Sequence, residues 1–260
     1  MKNIFRILMA VAILFTASCT KEDVSSSIGG GEVEVTFTAD LGQLGTRTYG
    51  EGDNANRVYL GVYEPDSKDP LPLVDYQKGY PVTNGKATIT VVLLKDKEYD
   101  LVFWAQHYVD NDADEVNDYA VYGRNWKDRS ITVNYDDAVS QDDKRDAFFL
   151  VKENFKAGHD ETVFELRRPF AQLRAGISQA DYDYVLANGS DGIATSQAVI
   201  KGVANVLSLN DETAEVYGDE TVIFDEAAVA TGDDEKFTVN SADYYQLSMN
   251  YLLVREKTLV

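Results

Sequence analysis

The sequence predicts an all-β protein built from antiparallel β-sandwiches, and three observations carry that prediction. Apolar and polar residues alternate in run after run, Gly, Asn and Asp close the runs at short intervals, and a helical period is scarce. With 16 tyrosines and only five prolines in 260 residues, the chain has a folded protein's composition, long enough for one large or two modest domains.

The first run, "GEVEVTFTAD", sets Val33, Val35 and Phe37 on one face and Glu34 and Thr36 on the other. "RVYLGVYE" puts Val58, Leu60 and Val62 opposite Tyr59 and Tyr63. In "PVTNGKATITVVL" the pair Asn84-Gly85 stands before Ile89, Val91 and Leu93, which is the pattern of a tight hairpin. "EYDLVFWAQHYV" places Tyr99, Leu101, Phe103 and Ala105 on one side, and "SITVNY" repeats the alternation with Ile131, Val133 and Tyr135. "DAFFLV" and "ETVFELRRPFAQLRAGI" supply further strands after an acidic loop. Beyond Gly176 the rhythm is less even. "DYDYVLANGSDG" reads as a short helical turn ending at Asn188-Gly189, and "SQAVIKGVANVLSL" as a strand pair or one bent strand. "ETVIFDE", "KFTVN" and "YYQLSMNYLLV" complete the series.

Proline has no N–H to give a central ladder, so an edge, a bulge or a crossover is expected at Pro169. The domain boundary is placed there, with one sandwich domain over residues 32–168 and a smaller one over 169–260. The sequence closes on "REKTLV" as another strand begins, so the C-terminal domain is expected to be incomplete.

Ahead of the first strand, residues 1–18 carry Lys2 and Arg6 and then an apolar run from Ile7 to Phe15. That is a basic region followed by a hydrophobic region of export-signal length, too short for a membrane span. Small residues Thr16, Ala17 and Ser18 lead to Cys19, the only cysteine, which marks a lipidation site. A lone thiol outside the cell has no internal disulfide partner, and acylation explains it. Residues 19–31 then form a tether. Its "KED" after Thr20 resembles the signal that sends Bacteroidetes lipoproteins to the outer face of the outer membrane.

The formal charge of −20 repels nucleic-acid phosphates, and no basic stripe offsets it. With two histidines, His107 and His159, neither near a second His or a Cys, a zinc site or a His-based nucleophile has nothing to build on. The acidic run Asp110–Asp118 has Glu115 and Val121 where a calcium loop needs glycine and glutamate, so it reads as a solvated loop. No cofactor and no enzymatic activity is expected. Trp104 and Trp126 are considered as a sugar-stacking platform, with packed sheet positions as the commoner outcome.

Four blocks, "YDLVFWAQ" (99–106), "KRDAFF" (144–149), "ELRRPFAQLRAG" (165–176) and "YYQLSMNYLLV" (244–254), occur in this order in the fimbrillin-like surface lipoproteins of Bacteroidetes, a type V pilin-like family that the chain resembles over residues 32–254. The resemblance implies two sandwich domains of transthyretin-like topology and a lipid anchor in the outer membrane at the cell surface. It further implies maturation by an arginine-specific protease and assembly into a fimbria. In such pilins the lipidated first strand is removed and a strand of a neighbouring subunit takes its groove, with main-chain bonds for affinity and alternate side chains for register. Carried onto this chain, the removable strand is 32–39, with Val33, Val35 and Phe37 facing in; the cut follows Arg47 and leaves Thr48 as the new N-terminus. Arg57 is a second cleavage candidate, but it abuts the next strand. The implied partners are like or related pilin subunits. The alternative reading is a non-polymerising surface lipoprotein that binds glycans.

Overall fold

In a computed structural model, residues 31–42, 54–108, 121–188, 193, 195–228 and 236–253 are described. The described elements begin with β1 (Glu32–Asp40), β2 (Arg57–Tyr63), β3 (Tyr80–Pro81), β4 (Lys86–Leu94) and β5 (Glu98–Gln106). It continues through β6 (Tyr122–Asn125), β7 (Ser130–Val133), a 3-10 turn at Asp143–Arg145, β8 (Phe148–Lys156) and β9 (Val163–Glu165). Past Pro169 come β10 (Phe170–Ser178), α1 (Gln179–Ala187), β11 (Thr195–Val203), β12 (Val206–Ser208) and β13 (Glu215–Tyr217). The series ends with β14 (Glu220–Ala228), β15 (Lys236–Val239) and β16 (Ala242–Leu253). The fold is all-β and of sandwich type, with a single helix among the described residues.

Local chemistry explains the connections. Asn84 and Gly85, at φ 52° and 72°, form the mirror-image turn whose twist suits a hairpin. Thr83 and Lys86 exchange both backbone hydrogen bonds across it, at 2.8 and 3.1 Å. The expected helical turn is the nine-residue α1, started by Ser178, whose hydroxyl accepts from the Asp181 N–H at 3.2 Å, and capped at Asn188. The "SQAVIKGVANVLSL" run resolves into two strands, β11 and β12, which join different sheets.

The layering follows from one sheet with two apolar faces. That sheet runs β3-β2-β5-β8. Val58, Leu60, Val62, Leu101 and Phe103 point into a first core, shared with the sheet β4-β1-β9. Tyr59, Tyr63, Val102, Trp104 and Phe149, the alternate positions, point into a second core. Period-two alternation with apolar residues at both phases is what a sheet buried on both sides requires.

The second core is built from both sides of Pro169. It contains Trp126, Ile131 and Val133 from the first part and Phe170, Leu207, Phe224, Met249 and Leu253 from the second. The sheet β13-β12-β7-β6 is likewise mixed, since Val206–Ser208 pairs antiparallel with Ser130–Thr132. The line expected between residues 168 and 169 is therefore crossed by a ladder and by a common core. Such joins depend on contacts distant in sequence, which alternation alone does not encode. Pro169 itself lies between β9 and β10, outside any ladder, as its missing N–H demands. The expected shortfall of the last strand concerns residues after 253, outside the described ones.

Candidate functional site

β1 sits in the middle of its sheet. On one edge all nine of its residues pair antiparallel with β4, from Glu32 opposite Leu94 to Asp40 opposite Lys86. On the other edge only Thr38–Asp40 pair, in parallel, with β9. The alternation read from the sequence places its side chains: Val33, Val35, Phe37 and Ala39 are buried, while Glu32 and Thr36 are exposed. Outside, the Thr36 and Thr90 hydroxyls meet at 3.1 Å.

Phe37 is the largest of these residues and fully buried. Its ring lies 5.1 Å from Phe155 and 6.0 Å from Phe103, both edge-on, the arrangement that aromatic quadrupoles favour. Burying a side chain of this size contributes about 1.5–3 kcal/mol. The strand is fastened at both ends by the backbone. Lys95 N–H donates to Gly31 at 2.7 Å, Leu41 N–H to Gly85 at 2.9 Å and Leu166 N–H to Asp40 at 2.8 Å. The Lys86 ammonium donates to Asp40 at 2.6 Å, and this hydrogen bond, opposed by partial burial, holds the Asp40 carboxyl below its usual range. Without β1 the site would be a groove between β4 and β9, floored by Phe103 and Phe155. Such a groove accepts any extended segment with apolar residues at every second position.

Of the other residues singled out in the sequence, Cys19, Arg47 and Thr48 lie outside the described residues. Arg57 opens β2, paired with Gln106 and stacked over the Tyr108 ring at 5.1 Å. His107 uses its Nδ1 against the Asn54 carbonyl at 2.8 Å, and His159 pairs with Asp96. The run 110–118 is outside the described residues.

The tryptophan platform is corrected by burial. Trp104 is 0% exposed and Trp126 6%, so the two do not form an exposed platform; Trp126 reaches only the border of a surface groove, beside Tyr76 and Arg124. Trp104 instead packs edge-on to Tyr122 at 5.2 Å and donates its indole N–H to Gln106 at 2.8 Å. It is a core residue because both faces of β5 are covered.

Sequence reading missed a polar junction within the second core. Arg168 donates from Nε to both Asp146 oxygens at 2.8 Å. Tyr251 donates to Asp143 at 3.1 Å, and Tyr122 to the Arg145 carbonyl. The family-like blocks "KRDAFF", "RRPFAQ" and "YYQLSMNYLL" thus meet in space. Their charged residues were the available signal, but nothing in one sequence says which acid faces which base. Among the described residues no group of three or more His, Cys, Asp or Glu is arranged to hold a metal ion. Nor is any described helix long and apolar enough to cross a membrane.

A model of DUF6562, described as a family of unknown function, matches residues 25–260. No curated protein matches the sequence. Among solved structures the chain is similar to a polysaccharide-binding candidate (DUF1812) from Bacteroides thetaiotaomicron, at 15% identity over 86% of this chain and 72% of that one, with a TM-score of 0.44. It is also similar to a candidate adhesin from Bacteroides ovatus, at 9% identity over 86% and 69%, with a TM-score of 0.41. A fimbrial assembly protein from Parabacteroides distasonis matches at 11% identity over 84% and 86%, with a TM-score of 0.38.

Proposed function

The chain belongs to DUF6562, a family of unknown function, and from that premise we propose that it is an exported, lipid-anchored surface protein serving as a structural subunit of a fimbria. Cys19 carries the lipid and holds the protein at the outer membrane, with residues 19–31 as the tether to the fold. Cleavage after Arg47 releases β1 with its anchor and leaves Thr48 at the new N-terminus. A strand from a like subunit then enters between β4 and β9. The role is structural and not enzymatic.

The observation that carries this reading is the seating of β1. It is an interior strand with a complete set of buried alternate residues, yet it is the first strand among the described residues and directly follows the segment 19–31 proposed as the tether. An interior first strand can leave from one end of the chain without breaking any other connection. Refilling its place restores both ladders and covers the open edges of β4 and β9, which would otherwise invite aggregation.

Mass spectrometry of protein taken from the producing cell's surface tests the proposal. The expected result is a population beginning at Thr48, together with a ladder of multimers that resists detergent. Protein that always begins at an acylated Cys19 and runs only as a monomer would overturn it.

A further inference from the structure

The "RRP" run has a use that the subunit reading leaves untouched. Its two arginines diverge. Arg168 is committed to Asp146, whereas Arg167 lies over the Phe149 ring, 4.7 Å from its centroid, and donates to the Glu212 carbonyl. Arg167 has no carboxylate partner among the described residues. Beside it runs an open groove of about 660 Å³, bordered by residues 167–169 on one chain segment and 213–217 on another. That volume falls within the roughly 300–1,000 Å³ typical of small-molecule sites.

The second segment supplies complementary chemistry through its own alternation. Ala214 and Val216 pack on the second core, so Thr213, Glu215 and Tyr217 are turned outward. Tyr217 is 49% exposed, and its hydroxyl donates to one Glu215 oxygen, fixing the carboxylate beside the ring. Phe149 and Leu207, both buried, add apolar surface to the lining. β13 is also the outermost strand of its sheet, so nothing in that ladder covers the groove.

We propose that this groove binds a neutral saccharide. Its lining holds a guanidinium that can only donate and a carboxylate that can only accept. A sugar's adjacent hydroxyls do both, and its C–H face suits an exposed aromatic ring that is apolar in body and polar at the tip. An anionic ligand would meet Arg167 but be repelled by Glu215 and by a chain of net charge −20. A purely apolar ligand would strip water from both charges without replacing it. An open groove covers little of a single sugar unit, so one site alone holds it weakly. Repetition on a surface multiplies such a contact, because each linked site sees a high effective concentration of the next.

Calorimetric and NMR titration of the purified full-length protein with neutral trisaccharides (maltotriose, cellotriose, mannotriose and galactotriose) tests this, with trigalacturonate and an acidic hexapeptide as competing classes. Saturable binding of at least one neutral trisaccharide is expected, weakened at least tenfold by both Tyr217→Ala and Arg167→Ala. Both variants should keep the thermal midpoint and near-ultraviolet dichroism of the parent, and Glu215→Gln should weaken binding less than Glu215→Ala. Three results would each overturn the assignment: no neutral binding, binding indifferent to both variants, or binding confined to the acidic sugar or the peptide. None of them bears on whether Arg47 is cut, so the subunit reading stands or falls separately.

Discussion

Arg168 closes on Asp146 as a fork: Nε donates to both carboxylate oxygens at 2.8 Å, and Nη2 stands 2.6 Å from Oδ2. The Asp146 side chain is 1% exposed and that of Arg168 24%, so the pair ties the chain before β8 to the chain after β9 with its carboxylate shut off from water. Removing one member of a buried pair strands the other. Arg168→Met is therefore expected to cost about 3–5 kcal/mol at pH 7, with Arg168→Met/Asp146→Leu recovering most of that loss. Urea denaturation of the two variants checks it; equal losses would show that the pairing is not what holds this junction.

The same carboxyl sets a pH dependence. Burial pushes Asp146 up to about 6, against the opposing pull of the Arg168 hydrogen bond. The folded protein thus holds this proton more tightly than the unfolded chain, whose aspartates titrate at about 3.9. The group's contribution to stability is fully present below that unfolded value and is lost as pH rises through about 6. Its size is on the order of 2–3 kcal/mol. Asp146→Asn should flatten this portion of the stability profile between pH 4 and 7. Parallel profiles for parent and variant would refute the assignment.

β1 offers a contrast between its faces. Phe37 is fully buried among Phe103, Phe155 and Phe164, so Phe37→Ala is expected to cost about 3–5 kcal/mol through lost burial and the cavity left behind. Thr36→Ala, one residue away on the outer face, should stay within about 0.5 kcal/mol. Chemical denaturation of both variants reads the difference directly.

Two glycines separate backbone strain from crowding. Gly85 has φ 72° and open space where a Cβ would stand. Gly85→Ala should therefore cost only the left-handed penalty of about 1–2 kcal/mol. Gly79 has a similar φ of 69°, but a Cβ there would lie 2.7 Å from the Tyr59 ring, which is itself locked in the core. Gly79→Ala should lose distinctly more, and equal thermal midpoints for the two variants would contradict this.

Much of the fold was legible because alternation is a local property. Val33, Val35 and Phe37, and the opposed sets in "RVYLGVYE", occupy the faces read from spacing alone. The Asn84-Gly85 turn was legible for a similar reason, since two positive φ angles need those residue types. β6 and β13 were not read, because runs such as "EVY" are too short to establish a period. Trp104 shows a different limit: alternation assigns a side chain to a face but does not say whether that face is wet. The pairing of Arg168 with Asp146 and the ladder between 206–208 and 130–132 depend on distant segments meeting. Arg167 and Arg168 are adjacent and chemically alike, and only the folded chain distinguishes the one that pairs with Asp146 from the one that lies over the Phe149 ring.

The central sheet, with one core on each face, makes the protein hard to divide. Residues after 168 supply Phe170, Leu207, Phe224, Met249 and Leu253 to the second core, opposite Tyr59, Trp104 and Phe149. Cutting the gene at that point would not yield two modules. It would give a first fragment with raw hydrocarbon on one side and a second without the sheet on which Phe170, Leu207, Phe224, Met249 and Leu253 pack. Heating the whole chain should accordingly melt it in one calorimetric step, as a single cooperative unit. A chain joined in this way transmits a load applied to its first layer through to its last, which is what the anchored subunit proposed above would have to do.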